Sequence, residues 1–286
     1  MPAEDPQTPE PILPTERPAG AANVSPHPPT RDPALEVARD RSLTPQQRRS
    51  AWMQIGAVTA LGVMPHIVVN ILPFIQSRSG SGQATPPTFV ADAVYLIATC
   101  AQIALPTLLI MHLVGGVRRF GLVRFRPVRD TLIGAALYAI SWLGYMVLGS
   151  TLHVVAEAAN SVLLIEGEDV APMGSPAPVL GVLSFATILA MSLANGFTEE
   201  VVLRGFLLRR LAHVGINPFA AIMLTTLAFS AYHAYQGGYG ILSALIGGIT
   251  LGAYVVGTGR LWPCIVAHIL SDVIPMTMWL AGQEPS

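Results

Sequence analysis

Long apolar segments separated by short polar ones make up most of the chain after its first 46 residues. Each segment is close to the ~20 residues that an α-helix needs to cross the hydrocarbon core of a bilayer. The pattern predicts an all-α, polytopic transmembrane helical bundle with seven spans, or eight if the acidic stretch 155–177 contains one more. The seven segments are about 51–75, 89–115, 130–154, 178–198, 217–236, 239–258 and 261–281.

The fourth apolar segment continues in a helical pattern to about His213. A helix of that length does not fit one straight span, so the sequence predicts that it tilts, kinks or projects from the membrane. Gly196 is the predicted kink site, because sharp bends in helices occur at residues of this kind.

The first 46 residues differ in composition from the rest, being rich in Pro, Ala, Thr, Arg and Asp and poor in aromatic residues. Such a segment cannot bury enough apolar surface to offset the entropy lost on ordering, which predicts a disordered, Pro-rich tail. No apolar stretch follows a basic start, so the tail does not resemble a cleavable signal peptide. The predicted organisation is a tail over 1–46, N-terminal transmembrane helices over 47–154 and a helical core over 178–282.

The overall composition strengthens the membrane interpretation. The chain is 52% hydrophobic and only 12% charged, whereas a soluble domain carries about 25% charged residues. The net charge of -1 gives no reason to expect a nucleic-acid partner, and membrane lipid is the expected surrounding. Cys100 and Cys264 lie in separate apolar segments, so we expect buried free thiols rather than a disulfide or a cysteine-based zinc site.

Basic residues alternate between the predicted loops. The N-terminal flank and the loop over 116–129 are rich in arginine, the 155–177 stretch has acidic residues only, and Arg260 precedes the last segment. By the positive-inside rule this places the N-terminus in the cytoplasm and the C-terminus outside. All 16 basic residues are arginine, which is typical of a GC-rich bacterial genome, so the expected location is a bacterial cell membrane.

Two adjacent carboxylates and an arginine follow the fourth apolar run directly. A charge at the centre of a bilayer costs about 2.5–3.5 kcal/mol on insertion scales, so Glu199, Glu200 and Arg204 call for a reason. Glu200 and Arg204 are four residues apart and share a helix face, where they can neutralise each other. Glu199 is less well placed to share the arginine, which leaves its carboxylate available. A charged helix end next to the membrane is the alternative interpretation.

Two further clusters of polar side chains lie in later apolar helices. Phe229 and His233 share one face, and His268 and Asp272 share another, each pair at a spacing of four. At 1.5 Å per residue, Glu199 and His233 lie at similar distances, roughly 20–27 Å, on either side of the turn over 215–218. The sequence therefore predicts that these groups face one cavity in the inner half of the membrane. No role is assigned to His66 in the first segment.

A carboxylate and an imidazole within hydrogen-bond reach can hold a water molecule and remove its proton, and a second His could stabilise an oxyanion. That chemistry is peptide hydrolysis with no cofactor. The same groups could instead bind a divalent metal such as zinc that activates the water, with Glu199, His233, His268 and Asp272 as the alternative ligands. Neither a Gly-x-Ser-x-Gly elbow nor a His-Glu-x-x-His motif occurs in the sequence.

The three motifs Glu-Glu-x-x-x-Arg, Phe-x-x-x-His and His-x-x-x-Asp, in this order, resemble the CPBP (CAAX protease and bacteriocin-processing, or Abi) family of intramembrane glutamic endopeptidases. They stand here at 199–204, 229–233 and 268–272, and the resemblance covers about 178–282. It implies a catalytic helical core in which Glu199 and His233 activate the water and His268 and Asp272 form the oxyanion site. The last position takes Asn in the best-known CAAX-processing members; an ionised Asp272 would oppose an oxyanion, so its expected role is to carry a proton or to orient His268.

The resemblance implies a protease of the CAAX prenyl endopeptidase type, acting on a membrane-associated protein or peptide, with a metallopeptidase as the alternative mechanism. A non-catalytic membrane partner or bacteriocin-immunity protein is the rival from another class, and an ion-coupled transporter is a third. No pattern in the sequence favours a particular oligomeric state.

Overall fold

The computed structural model describes residues 43–68, 89–158 and 181–281. These residues form helices joined by turns, and no strand occurs among them. The predicted all-α architecture is therefore confirmed for this part of the chain. The predicted disordered tail and the acidic stretch with its candidate eighth span lie almost entirely outside the described residues.

The described residues form eight α-helices, numbered in chain order, two π-helical turns and two short 3₁₀ turns, Val117–Phe120 and Ala234–Gln236. The first π turn, Thr59–Val63, lies inside α1, and the second, Val201–Leu207, joins α4 to α5. The helices are α1 Pro45–Val68, α2 Phe89–Gly115, α3 Pro127–Ala158, α4 Gly181–Glu200, α5 Leu208–His213, α6 Pro218–Tyr232, α7 Gly237–Thr258 and α8 Trp262–Ala281.

Local sequence signals fix where α1 and α6 begin. Thr44 and Gln47 form a capping box, in which each side chain accepts a hydrogen bond from the other residue's backbone N–H. Asn217 caps α6 by accepting from the Phe219 N–H at 2.8 Å, and Pro218 occupies the first helical position. Both arrangements satisfy backbone donors that a helix N-terminus leaves unpaired.

The helices pack as a closed series around the second π turn. Helix α8 lies between α3 and α4; α3 also contacts α7, α7 contacts α6, and α6 contacts α5, which continues α4. Helix α2 packs on α4 and on the π turn, and α1 contacts α2 and α5. All seven residues of the π turn are buried, so the segment that follows Glu200 forms the centre of the bundle.

The predicted kink at Gly196 is wrong, because α4 is helical through this residue and the irregularity begins after Glu200. Gly196 instead permits a close helix approach. A β-carbon there would lie 3.1 Å from Ile269 Cγ1 and 3.2 Å from the Ile269 backbone nitrogen. Helices α4 and α8 meet at this point, which brings the two helices that carry most of the candidate site together.

Four of the described helical segments are long and apolar enough to cross a membrane: Pro45–Val68, Ala93–Gly115, Pro127–Leu152 and Ala234–Thr258. Helix α6 is apolar but shorter. Helices α4 and α8, which carry the ionisable residues of the candidate site, are not among the four. The count of seven or eight spans stays a prediction.

Polar contacts fasten the arginine-rich loop after α2 to the start of α8. The Trp262 Nε1–H donates to the Val123 carbonyl at 2.6 Å, and the Leu261 N–H donates to the Gly121 carbonyl at 3.1 Å. Asp130, fully buried, pairs with Arg260 at 2.8 Å and also accepts from the Arg126 N–H. The loop thus fixes the position of α8 relative to α3.

A close crossing of α3 and α8 at Gly134 gives a stability prediction. A β-carbon at Gly134 would lie 2.6 Å from Val266 Cβ and 2.9 Å from the Pro263 carbonyl oxygen. We expect Gly134→Ala to lower the free energy of unfolding by about 1–3 kcal/mol, as overpacking does. The measurement is denaturant unfolding in mild detergent, followed by tryptophan fluorescence.

Gly247→Ala is the matched control for Gly134→Ala. Gly247 is also helical, but a β-carbon there meets nothing within 4 Å. Its substitution should be neutral or stabilise by up to about 1 kcal/mol through helix propensity. Equal stability of the two variants would contradict the tight α3–α8 crossing.

Candidate active site

The innermost part of the candidate site is a buried ion pair. Arg204 Nη1 lies 2.8 Å from Glu200 Oε1, with the two side chains 1% and 0% exposed. The spacing of four residues predicted this contact, although the pair spans the junction between α4 and the π turn. A buried charge without a partner is very costly, so each of these residues needs the other.

His268 on α8 lies between the two glutamates of α4. Its Nδ1 is 2.9 Å from Glu200 Oε1, and its Nε2 is 3.0 Å from Glu199 Oε2. The imidazole is 3% exposed, whereas Glu199 keeps 15% exposure. Adjacent carboxylates that point in different directions along α4 are therefore bridged by one ring from a neighbouring helix.

The contacts of His268 constrain where protons lie. An ionised carboxylate only accepts hydrogen bonds, so a ring nitrogen that faces one must carry the proton. A doubly protonated His268 turns one N–H towards each glutamate. Its positive charge and that of Arg204 then balance the negative charges of Glu199 and Glu200, which gives a neutral four-residue network.

Phe229 on α6 packs against the charged groups. The Arg204 guanidinium lies over the Phe229 ring, 4.4 Å from its centroid. The same ring makes edge contacts with His233 at 4.5 Å and with His268 at 5.6 Å between centroids. Phe229 thus separates the arginine from the histidines while placing both imidazoles, and a cation over an aromatic face is itself favourable.

His233 stands at the C-terminal end of α6. Its Nδ1 is 2.9 Å from the Phe229 carbonyl oxygen, and a carbonyl only accepts, so the proton is on Nδ1. Nε2 is then the nitrogen that can accept a proton. Among the described contacts, it is His268 and not His233 that lies against the Glu199 carboxylate.

Asp272 lies one turn after His268 on α8 and makes its hydrogen bond elsewhere. Asp272 Oδ1 is 3.9 Å from His268 Nε2, too far for a direct hydrogen bond. Asp272 Oδ2 accepts from Asn195 Nδ2 at 3.1 Å. Sequence analysis missed Asn195, although its position four residues before Glu199 on the same helix face could have revealed it.

A small cavity of about 30 Å³ lies against Glu199. Helices α1, α2, α4 and α6 line it, and its polar lining includes His66, Asn195, Glu199 and Tyr232. Most of the rest of the lining is apolar, and a cavity of this size has room for about one water molecule beside these polar groups. His66, to which the sequence gave no reason to assign a role, faces the site because α1 packs near α6, with its ring 6.2 Å from the Tyr232 ring.

A metal site would need several His, Cys, Asp or Glu side chains that converge on one point. In residues 43–68, 89–158 and 181–281, no group of three or more His, Cys, Asp or Glu side chains is arranged to hold a metal ion. Both ring nitrogens of His268 face carboxylate oxygens rather than a common point. The arrangement seen here therefore suits a hydrogen-bonded network better than a coordination shell.

The residues of this network lie in a part of the chain that is similar to a known protein family. Residues 181–274 match the family model of type II CAAX prenyl endopeptidase Rce1-like proteins. The match spans all three motifs and confirms the resemblance to the CPBP family for this part of the chain. No curated protein and no solved structure matches the chain. The family match covers about a third of the chain, and together with the four apolar helices it supports a membrane-embedded protein.

The buried ion pair gives a second stability prediction. Arg204→Met keeps much of the side-chain volume but leaves Glu200 without its guanidinium partner, and we expect a loss of about 3–5 kcal/mol in the free energy of unfolding. The double variant Glu200→Gln, Arg204→Met should lose less than the sum of the two single changes, because it removes both charges.

The exposed Arg129 supplies the control for Arg204→Met in the same unfolding measurement. Arg129→Met should change stability by no more than about 0.5 kcal/mol. Additive effects of the Glu200 and Arg204 substitutions would show that the two residues are not coupled.

Proposed function

We propose, with the family match of residues 181–274 as the premise, that this protein is an intramembrane endopeptidase that hydrolyses a peptide bond of a membrane-associated protein or peptide. The observation that carries the proposal is the position of Glu199. Its carboxylate lines a water-sized cavity, is partly accessible, and is held by His268, while the neighbouring Glu200 is fully buried and paired. One carboxylate is thus structural and the other is placed to meet a substrate.

Glu199 acts as the general base in this proposal. It takes a proton from a water molecule in the cavity as the water oxygen attacks the carbonyl carbon of the scissile bond. The carbonyl π electrons move to oxygen and give a tetrahedral oxyanion. When the oxyanion collapses, the C–N bond breaks and the amine leaves with the proton that Glu199 took up, so the carboxylate is regenerated.

His268 and the Glu200–Arg204 pair hold Glu199 in place. His268 Nε2 faces Glu199 Oε2 at 3.0 Å, and a hydrogen bond between Nδ1 and Glu200 fixes the other side of the imidazole. Arg204 pairs directly with Glu200 and holds its carboxylate in place. Groups whose rotamers are fixed by such contacts need little reorganisation during reaction, which is the main source of electrostatic catalysis.

His233 is the proposed second proton carrier. The Phe229 carbonyl holds its Nδ1–H, so Nε2 is free of that contact and can accept a proton. In this proposal Glu199 moves the proton from the water to the leaving amine, and His233 Nε2 accepts a hydrogen bond from the same water, so no step calls for a metal ion. A metal-dependent version of the same peptidase is the alternative that the experiment below separates.

The substrate class follows from where the site lies. Helices α4, α6 and α8 carry it among apolar spans, so a peptide must reach it from the membrane or its surface. The arginine distribution supports a protein of the bacterial cell membrane with its N-terminus in the cytoplasm. Substrates are therefore proposed to be membrane-associated chains cleaved at the membrane surface or within it.

The direct test compares membrane peptides from cells that express the wild type or Glu199→Gln at equal levels. Gln keeps the shape of the side chain but cannot accept the proton, so new cleavage termini seen by mass spectrometry should fall by at least ~100-fold. His112→Gln, an exposed change at the end of α2, is the control and should leave the termini unchanged.

Incubation of the same membranes with a chelator separates the two mechanisms. Termini that depend on Glu199 and survive chelation support the glutamate-activated water, whereas termini lost on chelation support a metal-dependent peptidase. Identical peptides from the wild type and Glu199→Gln would contradict the proposed function and favour a non-catalytic membrane partner or immunity protein.

A further inference from the structure

Asn195 occupies a distinctive position on the cavity wall. It lies on α4 one turn before Glu199, and both residues line the same cavity. Its Nδ2 donates to Asp272 Oδ2 at 3.1 Å. The hydrogen bond joins α4 to α8 across the site, so the amide is fixed in one orientation next to the proposed general base.

Asn195 and Asp272 differ in the hydrogen bonds that their side chains can form. An ionised carboxylate has no hydrogen to donate, whereas a primary amide carries two N–H groups. Asp272 takes one N–H of Asn195. The second N–H of the same nitrogen stays available on the residue that lines the cavity.

Three nearby side chains differ from Asn195 in what they face. His268 donates from Nδ1 to Glu200 and turns Nε2 towards the Glu199 carboxylate, 3.0 Å away. Asp272 would repel developing negative charge if ionised. The Thr198 hydroxyl donates to the Cys100 carbonyl at 3.4 Å.

We infer that Asn195 donates its second N–H to the carbonyl oxygen of the scissile bond and to the oxyanion that forms from it, and that Asp272 is the positioning residue that aims this amide. The inference rests on the proposed function. It adds a donor on α4 to the carbonyl-binding role for which the sequence predicted His268 and Asp272.

The geometry supports a donor that is ready before substrate arrives. Asn195 and Glu199 are four residues apart, about 6 Å along the helix axis. A carbonyl between them can receive an N–H on its oxygen while the water held by Glu199 approaches its carbon. Removing one such donor from an acyl-transfer site lowers kcat by about 100- to 1,000-fold.

The test uses the full chain in detergent or proteoliposomes and a synthetic peptide that spans the cleavage site found with the wild type. Asn195→Ala should lower kcat by ~100-fold or more with a much smaller change in KM, because the donor acts mainly on the transition state. Thermal unfolding of each variant is measured alongside, so that a loss of fold is recognised.

An exchange of the two side chains, Asn195→Asp with Asp272→Asn, separates catalysis from structure. This double variant keeps an amide–carboxylate hydrogen bond between α4 and α8 but moves the amide to α8. We expect near wild-type thermal stability together with a kcat that stays ~100-fold low.

Each result decides the inference. Recovery of kcat in the exchanged variant, or an Asn195→Ala variant within about threefold of the wild-type kcat, would show that Asn195 is only structural and would overturn it. In either case the loss of cleavage in Glu199→Gln would still stand, so the proposed function would survive. A wild type that cleaves no peptide would instead overturn the proposed function, and the role of Asn195 with it.

Discussion

The site depends on one imidazole shared by two carboxylates. His268 faces Glu199 and Glu200 with its two nitrogens, and Arg204 neutralises Glu200 from the other side. Without the arginine, Glu200 would be an uncompensated charge at the centre of the bundle. Without His268, Glu199 would lose the contact that fixes it at the cavity. The network therefore explains how charged groups persist in an apolar bundle while one of them stays available for chemistry.

The packing of the bundle makes this network possible. The π turn after Glu200 carries Arg204 into the core, where every residue of the turn is buried. Such irregular turns are frequent at functional sites because they re-aim side chains that a regular helix would direct elsewhere. Gly196 lets α8 approach α4 closely enough for His268 to reach both glutamates. The π turn and Gly196 thus serve to place Arg204 and His268, not to make the backbone flexible.

The positions of most helices along the chain could be predicted from hydropathy, and the contact between Glu200 and Arg204 from their spacing alone. Contacts between helices were harder to predict, because periodicity shows on which helix face a residue lies but not which helix packs against that face. For that reason the sequence placed Glu199, His233, His268 and Asp272 near one another but could not predict that His268 lies between the two glutamates. Asn195 was missed although it shares a helix face with Glu199, and His66 was missed because a lone polar residue on an apolar face carries no signal until its neighbour, Tyr232, is known. The π turn was mistaken for a kink at Gly196, because i→i+5 hydrogen bonding has no composition of its own.

The most direct test of the account is a cryo-electron microscopy structure in lipid nanodiscs at a resolution that shows ordered water. The account predicts a water molecule within hydrogen-bond distance of the Glu199 carboxylate, in the cavity that Asn195 and Tyr232 also line. It further predicts His268 between the two glutamates. A dry or lipid-filled cavity, or a metal ion bound by Glu199 and His268 in place of the water, would contradict it.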